Sequence, residues 1–150
     1  MLVALSTYQQ KQTQECPPPF FPLGRKCLSL NPSPLSWYDA RIDCQTQGGD
    51  LLRVDTQTQA EIIKYYLTIE DSLCLQPIGG YYIGGTDEGH EGDWVWEDNY
   101  DPILVDLWAG GSPPPVNYQY NCLLYSCLFN PFDWVPDDCQ VQRPYLCQLY

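Results

Sequence analysis

A chain of 150 residues with 44% hydrophobic and 14% aromatic side chains is long enough to bury the core of one domain and too apolar to be disordered. Nineteen acidic against seven basic side chains leave a net charge of −12, the wrong sign for gripping a phosphate backbone or an anionic lipid surface, so nucleic acid is a poor partner. No window reaches the roughly 20 consecutive apolar residues of a membrane span.

Met1 to Ser6 end in the small-x-small pattern Ala4-Leu5-Ser6, as the remnant of a signal peptide would, and Thr7 to Glu15 read as a flexible lead-in; residues 1–15 are therefore expected to lie outside a domain covering 16–150. Ser36 is placed to cap a helix running from Trp37 towards Gln47, with Trp37, Ala40 and Cys44 on one face and Gly48-Gly49 ending it. Thr58 and Glu61 form a capping box for a second helix whose buried side is Ile62, Ile63, Tyr66 and Leu67. Beyond it Tyr81 to Ile83, Asp93 to Trp96, Cys122 to Tyr125 and Pro144 to Tyr150 look extended. Asp98 to Asn121 is proline-rich and irregular, and loops of that length carry function or are held by cross-links. Two early helices followed by short strands give an α+β domain with a large loop region.

Eight cysteines, at positions 16, 27, 44, 74, 122, 127, 139 and 147, suit four disulfides in an oxidising compartment. A zinc site needs thiolates or imidazoles at close spacing, but Cys122 and Cys127 have only His90 to join them. His90 would also have to serve any catalytic triad, and it lies in the acidic stretch Gly89-His90-Glu91-Gly92 with no serine motif around it, which argues against an enzyme.

The residues resemble the C-type lectin-like domain over Cys16 to Tyr150. The resemblance rests on Cys16-Pro17, Ser36-Trp37 through Cys44, Gly48-Gly49-Asp50-Leu51, Tyr82-Ile83-Gly84-Gly85-Thr86-Asp87-Glu88, Gly92-Asp93-Trp94-Val95-Trp96 and the closing Cys139, Tyr145, Leu146 and Cys147. The short amino-terminal cysteine pair and the acidic Thr86 to Gly92 run are most similar to secreted lectins of crustaceans and other invertebrates. The resemblance implies the bridges Cys16–Cys27, Cys44–Cys147 and Cys122–Cys139. The remaining Cys74 and Cys127 depart from the common pattern; they are expected to join each other, with free thiols or an intermolecular bridge as the alternative.

Sugar-binding members of that family hold a calcium ion, which takes six to eight oxygen ligands, in the long loop. Counted from Trp108 and Gly111, the first ligand triplet falls on Ser112-Pro113-Pro114, which keeps a proline whose cis bond would shape the loop but loses both carbonyl-bearing ligands. Tyr120 stands where a glutamate is expected, and Val135 and Pro136 follow Trp134 where Asn and Asp are expected. The resemblance thus implies a degenerate calcium–sugar site. A shifted loop could bring Asp133, Asp137 or Asp138 to a calcium with Asn117 or Asn121. Asp87, Glu91 and Asn121 match a second, auxiliary calcium position, which would be weak. The same acidic residues also read as turn caps facing water.

Tyr100, Trp108, Tyr118, Tyr120, Phe129 and Phe132 border the loop region and could stack on a ligand, whereas Trp94, Trp96 and Trp134 match core positions. The expected ligand-binding set is Ser112, Pro113, Asn117, Tyr118, Tyr120, Asp137 and Asp138. The resemblance implies two possible functions. One is a secreted, extracellular domain for glycan or pattern recognition in innate immunity; the alternative is a calcium-independent protein-interaction module on the same scaffold.

Overall fold

The computed structural model describes residues 15–71, 79–127 and 132–150. The suggested leader remnant, Cys74 and Phe129 lie outside the described residues.

Strand β1 (Phe21–Leu23) turns at Gly24-Arg25 into the long strand β2 (Lys26–Leu35), which pairs antiparallel with the last strand, β8 (Arg143–Leu149). The two ends of the domain are thereby stitched together. Pro32 and Pro34 cannot donate to a ladder, and the β2–β8 register shifts between Asn31 and Leu35, where they lie. Helix α1 (Trp37–Thr46) begins as expected, with Ser36 Oγ accepting from the Asp39 N–H at 3.2 Å, and buries Trp37, Ala40 and Cys44.

Strand β3 (Gly49–Leu51) packs so close to β8 that a Cβ on Gly49 would sit 1.6 Å from the Gln148 carbonyl oxygen. Helix α2 (Gln57–Glu70) corrects the expected cap. Thr56, not Thr58, accepts from the Gln59 N–H at 3.1 Å, and Gln59 Oε1 in turn accepts from the Asp55 N–H at 2.9 Å. The buried stripe moves accordingly to Ala60, Ile63 and Leu67, which leaves Ile62 exposed.

The second half supplies β4 (Gly80–Thr86), β5 (Val95–Trp96), β6 (Cys122–Ser126) and β7 (Asp133–Asp137). Among the described residues the sheet runs β1-β2-β8-β4-β6-β7, with β3 attached to β8 and β5 to β4. The domain is α+β, as expected, with β1, β2, β3 and β7 added to the strands foreseen.

Between β5 and β6 the chain is irregular apart from a 3₁₀ turn at Ala109–Gly111. It is nevertheless anchored, because the Ile103 N–H donates to the Trp94 carbonyl at 3.0 Å and the Trp134 N–H to the Leu107 carbonyl at 2.8 Å. Trp108, expected at the ligand surface, is buried instead and meets Trp94 and Trp134 edge to face with ring centroids 5.2 and 6.1 Å apart. Phe132 is likewise buried. Trp94, Trp96 and Trp134 are core residues, as expected. Aromatic pairs in this geometry add to the stabilisation that burial of their large apolar area gives.

Three disulfides are described. Cys16–Cys27, Cys44–Cys147 and Cys122–Cys139 have Cα–Cα distances of 5.5, 5.3 and 5.3 Å, and they are the pairs implied by the family resemblance. Cys127 is also disulfide-bonded; its expected partner, Cys74, is not among the described residues.

Candidate loop cleft and the acidic turn beneath it

Two turns build the candidate site. The first follows β4. Its last strand residue, Thr86, donates through Oγ1 to the Asn121 carbonyl at 2.6 Å, and the Asp87 N–H donates to the same carbonyl at 3.2 Å, so the turn is fastened to the start of β6. Asp87 then organises the rest of the turn. Its carbonyl accepts from the His90 N–H at 3.0 Å, and its Oδ2 accepts from the Gly92 N–H at 2.9 Å.

Gly92 adopts φ +90°, the left-handed region that suits glycine, and a Cβ there would stand 3.1 Å from Val116 Cγ2. The residue leading into the second turn, 117–121, thus packs against the first. In it Asn117 Oδ1 accepts from the Gln119 N–H and the Asn117 carbonyl from the Tyr120 N–H, both at 3.0 Å. Asn121 donates through Nδ2 to the Tyr118 carbonyl at 3.0 Å, which turns its amide oxygen away from that bond.

Between the turns lies a cleft of about 380 Å³. Pro114, Pro115, Val116, Asn117 and Tyr120 form one side, Trp94 and Pro136 supply further wall, and Asp87 contributes the charged group. Asp87 is only 2% exposed, and its Oδ1 is buried without a hydrogen-bond partner. Asn121 Oδ1 and Glu91 Oε2 are buried and unpartnered as well. Partial burial, followed by the charges of Asp87 and Glu88, pushes the Glu91 carboxyl above its ordinary range, and Glu91 stands within hydrogen-bonding reach of Asp87.

Positions 114, 120 and 136, which the resemblance assigns to sugar ligation, converge on this one cleft. They carry two prolines and a phenol, and this donor set does not fit a hard divalent cation. The acidic turn fits one better, because Asp87, Glu91 and Asn121 each hold an unused buried oxygen. Three such oxygens fall well short of the six to eight that calcium takes. Among the described residues no group of three His, Cys, Asp or Glu side chains is placed to hold a metal; the third unused oxygen is the amide oxygen of Asn121, from the other turn.

The rest of the expected ligand-binding set divides. Asn117 and Tyr120 line the cleft, while Ser112, Pro113 and Tyr118 are exposed but do not wall it. The bond before Pro113 is not the expected cis one; among the described residues the cis peptide is Pro18–Pro19. In this arrangement the carboxylates of the shifted-loop alternative are engaged elsewhere. Asp137 accepts from Arg143 Nε, Asp138 Oδ1 accepts from the Gln140 N–H at 2.9 Å, and Asp133 pairs with Lys64. Tyr100 is exposed on a different groove, beside Trp37, Arg41 and Glu97.

The sequence reading missed Trp94 and Val116 as cleft residues, and took Pro114 and Pro136 only as places where calcium ligands are lost. The positive-φ glycine at 92 was the available signal, since it permits the close approach of Val116.

The family model for the lectin C-type domain matches residues 33–149. The chain belongs to this family. The lectin domain is 26% identical over 133 residues to a perlucin-like protein of Mytilus galloprovincialis, covering 88% of this chain and 81% of that one. It is 32% identical over 125 residues to the human secretory phospholipase A2 receptor, covering 79% of this chain but only 8% of the receptor's length.

Among solved structures, the C-type lectin CEL-I from Cucumaria echinata superposes with a TM-score of 0.76 at 23% identity, over 91% of this chain and 99% of that one. A calcium-independent type II antifreeze protein superposes with a TM-score of 0.72 at 20% identity, over 89% and 93%. These likenesses show the fold alone. None of the helices among the described residues is long and apolar enough to cross a membrane.

Proposed function

We propose that this lectin domain, residues 16–150, is a secreted, extracellular recognition module and not an enzyme, and that it binds glycans without a bridging calcium. The observation that carries this reading is the cleft itself. At the place where the family holds calcium and sugar, Pro114, Pro136 and Tyr120 line an apolar cleft, with the edge of the largely buried Trp94 behind them. Aromatic and proline faces stack on the apolar face of a pyranose ring and need no metal to do so. Asn117 and Tyr120 would then orient hydroxyl groups, with Tyr118, Ser112 and Pro113 at the exposed approach to the cleft. Any calcium that binds would be held by Asp87, Glu91 and Asn121, with weak affinity. A place in innate pattern recognition is the biological setting this reading suits.

The test is retention of the oxidised domain on glycan arrays or resins, in calcium and then in EGTA. Retention indifferent to EGTA supports the reading. Retention lost in EGTA sinks it, and no retention in either buffer favours the alternative, a protein-interaction module on the same scaffold.

A further inference from the structure

Asp87 is an unusual floor for a stacking cleft. A carboxylate oxygen that is buried and unpartnered costs several kcal/mol in desolvation unless a donor or a cation reaches it. Asp87 Oδ2 is satisfied by Gly92, but Oδ1 is not, and the carboxyl beside Asp87, that of Glu91, is a second acid with a buried unpartnered oxygen and not a cationic partner; Asp87 lines the cleft. The described residues lining the cleft include no Lys, Arg or His, so no side chain in that wall supplies the missing charge. The remaining wall is Trp94, Tyr120, three prolines, Val116 and Asn117, so it is mostly apolar and carries two aromatic side chains. A carboxylate beside aromatic surface is the chemistry that selects an ammonium group attached to an apolar body, through a charge-assisted hydrogen bond and a cation–π contact. The net charge of −12 adds a long-range attraction for cationic ligands and repels sulfated or carboxylated sugars.

We propose that the cleft takes a protonated amine carried on a pyranose ring, a non-acetylated amino sugar, with Asp87 as its counter-ion and Trp94, Tyr120 and the prolines against the ring. This rests on the glycan reading above and narrows it to a cationic class. A lysine side chain presents the same ammonium and is the other source of this chemistry. Calcium would use the same Asp87 oxygen, so calcium and the amine exclude each other.

The experiment is titration calorimetry of the full oxidised chain, at low salt and mildly acidic pH, with a glucosamine trimer, the N-acetylated trimer of equal length, and Nα-acetyl-lysine amide. The expected result is binding of the glucosamine trimer at least tenfold tighter than the acetylated one, weakened at least tenfold by Asp87→Asn and by Tyr120→Ala, and competed by millimolar calcium. Asp87→Asn keeps an oxygen for the Gly92 N–H; should it fail to fold by circular dichroism, the exposed Tyr120→Ala variant and the calcium competition decide.

Equal binding of the two trimers, or no effect of Asp87→Asn in a folded variant, overturns the ammonium assignment and leaves the glycan reading standing. Asp87-dependent binding of the lysine amide without the amino sugar supports the ammonium site and sinks the glycan reading. Failure of all three ligands overturns the ammonium assignment and leaves the glycan reading to the array test above.

Discussion

The indole nitrogen of Trp37 donates to the carbonyl oxygen of Ile83 at 2.8 Å, across 46 residues of chain. One hydrogen bond thereby fixes the start of the first helix to the strand that delivers Asp87 to the cleft. Trp37 is 3% exposed, so solvent cannot replace the lost donor. Trp37→Phe should destabilise the domain by about 1–3 kcal/mol, the cost of an unsatisfied buried acceptor with some lost packing. Urea denaturation checks this; an unchanged midpoint would show that the bond contributes nothing net.

Arg53 gathers the loop after β5. Its guanidinium reaches Asp55 Oδ1 at 2.6 Å, Asp98 Oδ1 at 3.2 Å, Asn99 Oδ1 at 2.7 Å and Asp101 Oδ2 at 2.7 Å. Several of these partners are half exposed, so the whole network is worth about 1 kcal/mol and not a sum of strong pairs. Arg53→Ala should lower stability by about that amount and raise amide exchange in residues 98–101 more than in the strands.

The same cluster sets an acid limb. Partial burial alone would raise the Asp55 carboxyl, but hydrogen bonds from Arg53 and Lys26 outweigh it and hold the group low. The Arg53 hydrogen bond, followed by that of Asn99, holds Asp101 low as well. A carboxyl whose folded value lies below its unfolded value stabilises the fold above the unfolded value and loses that contribution as pH falls through the folded one. Thermal stability should therefore decline below about pH 4, and Arg53→Gln should flatten that decline. A variant with an unaltered acid limb would assign it to other carboxylates.

Gly92 is the contact between the two turns. An alanine there would meet Val116 at 3.1 Å while holding φ +90°, a left-handed conformation that costs an L-residue about 1–2 kcal/mol. Gly92→Ala should weaken ligand retention by the cleft more than it lowers the melting temperature. Equal retention would mean that the loop accommodates the methyl group without moving the wall.

The bridges differ in how much chain they close. Cys44–Cys147 spans 103 residues and Cys16–Cys27 spans 11. The loop-entropy model assigns about 4.7 kcal/mol to a loop of about 100 residues and about 3 kcal/mol to one of about 15. Removal of the long bridge by paired alanines should lower the denaturation midpoint further than removal of the short one. The opposite order would show that local strain, not chain entropy, governs them.

The fold was legible wherever local chemistry and periodicity agreed. Ser36, the spacing of Trp37, Ala40 and Cys44, and Gly48 specify α1 without help from the rest of the chain. The second helix misled because Thr56 and Thr58 are both competent caps; Gln59, bonded to Asp55, decides between them. Strand β2 was hidden by Pro32 and Pro34, whose effect is absorbed where the ladder with β8 shifts register. The cleft was half legible. Asp87, Asn117, Tyr120 and the missing calcium ligands could be read by position, but the inward turn of Trp108 could not, because its partners Trp94 and Trp134 are fixed only when the loop folds back over β5.

Proline at 114 and 115, and again at 136, fixes φ along the cleft wall before any ligand arrives. The walls need little further ordering on contact, so association should proceed without a slow conformational step and with a small entropy loss on the protein's side. The corollary is a narrow repertoire. A rim this stiff discriminates by shape among closely related rings, and it cannot reshape itself around the varied ligands that a mobile loop would accept.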